Sequence, residues 1–427
     1  MNSLTKGSSF SLNKIAEGII FSSLTLFLGK IFGLVNKIIL AKLGVEYFGL
    51  FNLLISIFNT LLILCALGIP LGVTRYTSFY FARKKESKIK DIILTATVIL
   101  LPTSLLITLL FYLLTPSIAS LFKNLLIIPY LKIVLIGLPL AVLLQLIKAT
   151  LSGFLKINYL FLLDNFETIL NLIFFALFIY FGFGLAGVAV GYVLSLIGVL
   201  VAAFYFLSRL INFHPLKFVF FKKLFYFSWP VSLSEILRTL VNSGDLVFLG
   251  FFKGNIELGR YSVVITLGSL ILIFPQLILN YFFPIITNLY GSKKKITSIY
   301  QKVTFWLIIT SIPVFIIIIL KGQQIAGFLF GQEYIFSWWT LFFYSLAKVI
   351  FSLVLWPGRQ VLDMLGLTKQ NLKLSFIRTL LLLVCWLLLI PKLGSVGASL
   401  GWLISWFIEA ILFLVIIFRK TSLFTKK

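Results

Sequence analysis

Ionisable residues interrupt several long apolar runs of this sequence. An ionised side chain in the middle of a membrane-spanning helix costs about 2.5–3.5 kcal/mol, so it usually faces a partner or an aqueous cavity rather than lipid. Arginine binds a phosphate-like anion as a planar fork, and lysine binds it as a point charge. The candidates for binding an anionic group are Lys30, Arg75, Lys132, Arg238, Lys348 and Arg378. The acidic candidates, for ion coupling or for structural pairs, are Asp164, Glu235, Asp245 and Glu409.

Helical spacing places several of these charges on common faces. Lys30 lies seven residues before Lys37, Arg238 lies three residues after Glu235, and Asp245 lies seven residues after Arg238. Residues at such intervals share one side of a helix. We expect both faces to point into a water-filled cavity. For Glu235 and Arg238 the alternative is a mutual ion pair that only supports packing, and Lys37 could instead extend to the membrane interface.

The sign of the charges indicates the kind of ligand. The apolar runs that contain Lys30, Lys132 and Lys348 hold basic residues well inside them and no acidic ones there. A cavity lined in this way favours an anionic substrate. Arg378, Glu409 and Asp164 could equally form structural pairs between helices.

The composition requires a membrane protein. Of the 427 residues 60% are hydrophobic and only 11% are charged, whereas a soluble globular chain is about 45–50% apolar and about 25% charged. The apolar runs are continuous rather than alternating, which is typical of helices and not of barrel strands. Soluble and disordered classes are therefore excluded, and we predict an all-α polytopic membrane protein.

Twelve apolar runs are long enough to cross a bilayer, which requires about 20 residues each. We place the helices near residues 15–40, 47–70, 91–114, 125–150, 158–181, 185–207, 224–251, 260–286, 300–320, 335–357, 372–390 and 396–418. They divide the chain into a six-helix bundle at 1–209, a basic cytoplasmic linker at 210–223 and a second six-helix bundle at 224–427.

Lysine and arginine residues between these helices are unevenly distributed. Twenty-four of them fall in one set of loops and termini and six in the opposite set. Because positive charge is retained on the cytoplasmic side, this pattern predicts a multi-pass protein of the cell membrane with both termini in the cytoplasm. The same loops account for most of the net charge of +25, so we expect no nucleic-acid partner.

The two halves of the chain repeat each other at an offset of 210 residues. Gly44 corresponds to Gly254 and Gly49 to Gly259, and the spacing G-x-x-G-x-x-x-G-x-x-x-S recurs at 184–195 and 394–405. Six helices form an even number, so both halves have the same orientation, as in parallel-repeat transporters. Such transporters hold the substrate between their halves and expose it alternately to the two sides of the membrane.

Other kinds of site have little support. His214 is the single histidine and lies in the basic linker, and Cys65 and Cys385 lie in apolar runs. We therefore expect no metal site, no cofactor and no histidine-based catalytic triad. The loops are too short for a soluble domain and contain no phosphate-binding loop. The chain is predicted not to be an enzyme.

Five motifs recur along the chain in a characteristic order: LGVEYFGLF at 43–51, LGIPLGVTRY at 67–76, GRYS at 259–262, LGLTK at 365–369 and IPKLGSVGA at 390–398. In order and spacing they resemble the polysaccharide biosynthesis/export family, which contains lipid-linked oligosaccharide flippases of the multidrug/oligosaccharidyl-lipid/polysaccharide exporter superfamily. The resemblance extends over nearly the whole chain. It implies two six-helix bundles arranged in a V around a central cavity.

The resemblance also implies a function. Members move a polyprenyl-(pyro)phosphate-linked glycan from the cytoplasmic to the outer leaflet and carry basic residues in the central cavity. By position, Lys30, Arg75 and Arg238 match best, and Lys132, Lys348 and Arg378 match less well. The implied partners are the lipid-linked glycan, membrane lipid and a glycan-assembly complex, with the chain working as a monomer.

Two alternatives stay open at this point. The first is a cation-coupled multidrug or small-molecule exporter of the same superfamily. Such relatives place an acidic residue in the first span, whereas this chain has Lys30 at the middle of that span and Glu17 at its end. The second is a non-transporting scaffold, which would tolerate neutralisation of the cavity charges.

Overall fold

The computed structural model describes residues 12–210, 220–279, 293–364 and 368–420, and every regular element within these ranges is a helix. Helices satisfy their own backbone hydrogen bonds, which is what an apolar segment requires in lipid. The first half contains α1 (Leu12–Ala41), α2 (Val45–Ala66), α3 (Ile69–Phe81), α4 (Glu86–Leu113), α5 (Thr115–Leu121), α6 (Ile127–Ile136), α7 (Leu138–Gly153), α8 (Ile157–Tyr180) and α9 (Gly184–Ser208).

The second half repeats this order with more irregular turns. It contains α10 (Phe221–Lys253), α11 (Asn255–Ser269), a 3₁₀ turn (Leu270–Leu272), α12 (273–279), α13 (Lys293–Leu329), a 3₁₀ turn (Gln332–Tyr334), α14 (Trp338–Ile350), a π turn (Phe351–Leu355), α15 (Trp356–Met364), α16 (Thr368–Leu393) and α17 (Ser395–Lys420).

The predicted all-helical membrane fold is confirmed. Within the described residues, each of the twelve predicted spans corresponds to one helix or to consecutive helices, and eleven spans are long and apolar enough to cross a membrane. The remaining long helix, α10, has 33 residues, but its apolar sequence is interrupted by the charged residues Glu235, Arg238 and Asp245. The protein is therefore a multi-pass membrane protein.

The second predicted span ends early because of its local backbone conformation. Leu67 and Gly68 both adopt positive φ, at 48° and 67°, which ends α2, and Pro70 then lies in the first turn of α3. Proline is favoured there because its missing N–H has no helical partner in any case. Arg75 consequently lies on α3, a separate helix, and not at the end of the second span as the sequence pattern predicts.

The internal repeat is visible where α2 meets α11. A Cβ on Gly49 would lie 1.9 Å from the Asn255 carbonyl oxygen, and a Cβ on Gly259 would lie 2.2 Å from the Val45 carbonyl oxygen. Both pairs, Val45 with Asn255 and Gly49 with Gly259, differ by 210. The contact is therefore self-complementary, as expected around a two-fold relation. Glycine allows the two backbones to approach this closely.

The predicted linker at 210–223 begins after Ser208, where α9 ends, but its last three residues, 221–223, belong to α10, which begins at Phe221. Its residues 211–219, which include His214, lie outside the described residues, as do residues 365–367 of the LGLTK motif. The division into 1–209, 210–223 and 224–427 is kept as a proposal.

Candidate functional site

The two halves meet at the end of the helices that is opposite the basic loops. The Tyr334 hydroxyl donates a hydrogen bond to the Ala41 carbonyl at 2.7 Å, and the Tyr334 ring stands edge-on to Phe48. Burial raises the pKa of Tyr334, with a smaller contribution from Glu333. The hydroxyl therefore stays protonated and remains a donor. These contacts hold the halves together at this end.

The halves also touch at the end that bears the basic loops, through α3 and α10. The Arg75 guanidinium lies over the Phe227 ring, 4.5 Å from its centre, and this cation–π contact crosses between the halves. A Cβ on Gly68 would lie 2.6 Å from the Ser228 carbonyl oxygen. Arg75 itself remains exposed.

A cavity of about 270 Å³ lies between the halves near this contact. Its apolar wall comes from the end of α2 and the start of α3, and its polar lining consists of Gln145 of α7 with Glu235 and Arg238 of α10. Arg238 Nη2 donates to Glu235 Oε2 at 2.5 Å, yet the Arg238 side chain is 65% exposed. Among the residues that the structure describes, Glu235 is the one hydrogen-bond partner of this guanidinium group, so its other N–H groups can meet an anion.

Helix α1 contributes a second basic face. Asn36 donates to the Thr168 carbonyl at 2.9 Å and so turns one side of α1 towards α8. Lys37, about a quarter-turn away, donates to Thr266 Oγ1 of α11 at 2.8 Å. Lys30 is exposed on the same face as Lys37, and that face is directed towards the second half.

The three best candidates thus lie where the halves face each other: Lys30, Arg75 and Arg238. The other three basic candidates lie inside the bundles. Lys132 is 4.8 Å from the centre of the Tyr112 ring in the first bundle. Lys348 lies 4.6–4.9 Å from three ring centres in the second bundle, which belong to Tyr344, Trp402 and Trp406.

The predicted polar face of α10 is divided between two environments. Asp245 is 2% exposed and lies within the second bundle, where its Oδ2 accepts hydrogen bonds from the Tyr261 hydroxyl and the Trp402 indole, each at 2.9 Å. Arg238 and Glu235 line the cavity instead. The expectation that all of these residues share one aqueous cavity is therefore wrong for Asp245, because α10 packs against α11 and α17 at that level.

The remaining acidic candidates form pairs between helices. Glu409 of α17 lies 2.5 Å from Arg359 and 3.7 Å from Arg378, and its side chain is 1% exposed. Asp164 of α8 lies 2.8 Å from Lys148 of α7. Arg378, Glu409 and Asp164 therefore occupy the structural pairs that the sequence left as an alternative.

Three contributors were missed by the sequence reasoning. Lys148 and Arg359 were not among the candidates, but they lie on α7 and α15 and hold the ion pairs just described. Gln145 was not singled out, although an amide inside an apolar run is the same kind of signal as a charge. Within the described residues, no group of three or more histidine, cysteine, aspartate or glutamate side chains is arranged to hold a metal ion.

Known proteins share parts of this sequence. The chain is 28% identical over 196 residues to the capsular polysaccharide biosynthesis protein CapF of Staphylococcus aureus, covering 45% of this chain and 48% of CapF. It is 25% identical over 196 residues to the probable low-salt glycan biosynthesis flippase Agl15 of Haloferax volcanii, covering 45% of this chain and 41% of Agl15. The matched regions thus span about half the length of these relatives. A putative O-antigen transporter of Shigella flexneri is 23% identical over 308 residues, covering 69% of this chain and 70% of the transporter.

Solved structures share the fold. An inward-facing multidrug resistance MATE transporter of the MOP superfamily superimposes with a TM-score of 0.76 at 18% identity, covering 95% of this chain and 98% of that chain. A MOP superfamily transporter from Pyrococcus furiosus, described as having a binding pocket of reverse polarity, gives a TM-score of 0.67 at 20% identity and 96% coverage of both chains.

Family profiles match most of the chain. Residues 230–388 match the MatE family. Residues 15–290 match the family described as Polysaccharide biosynthesis protein. This range contains most of α1 and all of α3 and α10, the helices that carry Lys30, Arg75 and Arg238. The chain therefore belongs to the polysaccharide biosynthesis protein family.

Proposed function

We propose that the chain is a flippase that moves a polyprenyl-(pyro)phosphate-linked oligosaccharide from the cytoplasmic to the outer leaflet for cell-surface polysaccharide biosynthesis. The observation that carries the proposal is the charge between the halves. Lys30, Arg75 and Arg238 all lie where the two halves face each other, and among the described residues that line the cavity Glu235 is the one acid. A basic cleft between parallel repeats suits a phosphorylated head group.

The proposed cycle uses the contacts at the two ends of the cleft as alternating gates. With the Arg75–Phe227 contact open, the pyrophosphate enters and meets Arg238 and Lys30, while the polyprenyl tail stays in lipid. Closing that contact and breaking the Tyr334–Ala41 hydrogen bond then exposes the head group to the other side. Both gates are made of a few polar and aromatic contacts, so each can open without unfolding a bundle.

The direction of transport follows from the orientation that we propose, with both termini in the cytoplasm. The basic loops of one side support it through the positive-inside rule. No ATP-binding motif is present in the sequence, so an electrical driving force is the simplest source of energy. A potential that is negative inside moves a head group with two negative charges outwards by roughly 4.6 kcal/mol at 100 mV. We further propose that the chain works as a monomer, in contact with a glycan-assembly complex.

The alternative is a cation-coupled exporter of multidrug type, and the fold of the structural neighbours is compatible with it. Such an exporter needs an acidic side chain that is free to bind a cation or a proton. Glu235 is paired with Arg238, and Asp245 already accepts bonds from Tyr261 and Trp402. These pairings favour the flippase.

Transport by the reconstituted protein discriminates between the two functions. Liposomes would carry either a fluorescent polyprenyl-pyrophosphate oligosaccharide, read by leaflet-specific quenching, or a cationic dye. We expect translocation of the lipid-linked glycan, with little effect of Asp245→Asn if the protein stays folded, and no accumulation of dye. Dye transport that is abolished by Asp245→Asn, without flipping of the glycan, would support the exporter instead.

A further inference from the structure

A second cavity, of about 570 Å³, lies in the first bundle away from the central cleft. Its walls are α4, with Leu94 and Leu101, and α9, with Val201 and Phe204, and its floor is α7, with Leu146. Val201 and Phe204 are 66% and 54% exposed, so the cavity opens at the side of the bundle. We refer to this cavity between α4, α7 and α9 as the lateral cleft.

The lining of the lateral cleft is suited to hydrocarbon alone. Apart from Lys90 its polar residues are Thr97 and Thr150, and each hydroxyl donates to the carbonyl four residues earlier in its own helix, at 2.9 Å. With these hydroxyls occupied, the cleft offers few groups that could bind a sugar or a phosphate along its length. Its occupant must therefore be a chain of methylene or isoprene groups.

The length of the lateral cleft matches one leaflet. On α4 it extends from Lys90 to Leu101, which is eleven residues or about 16 Å at 1.5 Å per residue. The hydrocarbon core of a bilayer is about 30 Å thick, so the cleft covers about half of it. It begins near the end of α9 that bears Leu207, on the side of the basic loops. An acyl chain of that leaflet spans this depth, whereas a long polyprenyl tail would exceed it.

The end of the lateral cleft that lies nearest the basic loops is positively charged. Lys90 lines it and makes no hydrogen bond or ion pair with any residue that the structure describes. The preceding basic residues 83–85 and Lys88 lie on the same side, although Lys88 is directed to the Phe220 ring. Basic residues at the cytoplasmic end of a site between membrane helices are typical of binding to anionic lipid head groups.

Helix α7 separates the lateral cleft from the central one. Gln145 lines the central cavity, and the adjacent Leu146 lines the lateral cleft. A chain bound in the lateral cleft therefore supports the back of the helix whose opposite face lines the central cavity. This site is distinct from the one proposed for the transported head group.

We propose that the lateral cleft is a binding site for an anionic phospholipid of the leaflet that faces the basic loops, with one acyl chain between α4 and α9 and its phosphate at Lys90. The lipid is a bound partner of the protein and not the transported substrate. It is held by the apolar walls and by a single charge contact.

Photocrosslinking tests this proposal on the full-length protein. Phosphatidylcholine vesicles would contain a trace of phosphatidylglycerol with a diazirine in one acyl chain, and the labelled peptides would be mapped by mass spectrometry. We expect labelling of α4, α7 and α9 at the cleft. Lys90→Ala should lower it about fivefold, the effect of one basic residue near an anionic surface, and Lys88→Ala should leave it unchanged.

Blocking the opening provides an independent variant. Val201→Trp, at a lipid-facing position, should prevent labelling, while Ile197→Trp, at another exposed position of α9 outside the cleft, should not. Equal labelling by a phosphatidylcholine probe with the same chain, or insensitivity to both Lys90→Ala and Val201→Trp, would overturn the proposal. Displacement of the probe by an equal amount of polyprenyl phosphate, but not by phosphatidylglycerol, would assign the cleft to the substrate tail.

Discussion

Each half contains an ion cluster, and the two clusters differ in sign and in burial. Under the offset of 210, α7 and α8 correspond to the region of α14, α15 and α16, which carries the two bases of the second cluster, whereas its acid lies on α17. The cluster of the first half has one base and two acids: Lys148, Asp164 and Glu167. The cluster of the second half has one acid and two bases: Glu409, Arg359 and Arg378. Asp164 is 61% exposed, whereas the Glu409 side chain is 1% exposed.

The comparison shows that the contact between the two halves is the same in both repeats, whereas the ion clusters within the bundles differ. The close backbone contact of Gly49 and Gly259 is present in equivalent form on both sides, because it sets the geometry of the interface. The ion clusters have diverged, because each only has to support packing within its own bundle. Charges used in this way are not available to a ligand, so the basic cleft that we propose depends on Lys30, Arg75 and Arg238.

The largest expected effect is at the buried cluster. Glu409→Gln leaves Arg359 and Arg378 without a counter-charge in a buried site, and breaking a buried ion pair from one side costs about 3–5 kcal/mol. Thermal unfolding of the purified protein in detergent should show a large loss of stability. An unchanged unfolding temperature would mean that water or lipid already neutralises this cluster.

An intermediate effect is expected at the interface that the repeat maintains. Gly49→Ala and Gly259→Ala each force a methyl group into a carbonyl of the other half, and overpacking of this kind typically costs about 1–3 kcal/mol. The two losses should be similar, since the contacts are equivalent. Gly33→Ala is the matched control, because a Cβ at Gly33 meets nothing within 4 Å. A loss in only one of the two glycine variants would contradict the two-fold contact.

The smallest effect is expected at the exposed cluster. Asp164→Asn removes one of two carboxylates from Lys148, which keeps Glu167 at 3.0 Å. Exposed ion pairs contribute about 0–1 kcal/mol, so the unfolding temperature should barely move. A loss as large as that of Glu409→Gln would remove the distinction between the two clusters.

The sequence predicts the twelve spans and the repeat because both depend on composition and on backbone packing. It also selects Lys30, Arg75 and Arg238, since isolated basic residues within apolar runs stand out without coordinates. The break of the second span at Leu67 and Gly68 is less accessible, because a leucine with positive φ has no clear sequence signal.

The partners of the charges could not be predicted. Whether Asp245 faces the central cavity or Trp402 depends on the rotation of α10 against α17, which spacing along one helix does not define. Lys148 and Arg359 lie at the ends of predicted spans, where an error of a few residues moves a side chain from a loop into a bundle. The pairs across helices are therefore properties of the packed structure.

Flipping by cleft variants tests the central claim most directly. Liposomes containing the fluorescent polyprenyl-pyrophosphate oligosaccharide would be prepared with the wild type, Lys30→Ala, Arg238→Ala and, as a basic residue placed inside the first bundle, Lys132→Ala. Charge-assisted hydrogen bonds contribute about 1.5–3 kcal/mol, so we predict that flipping falls about tenfold or more in the first two variants and persists in Lys132→Ala. Undiminished flipping by folded Lys30→Ala and Arg238→Ala would contradict a basic cleft that binds the head group.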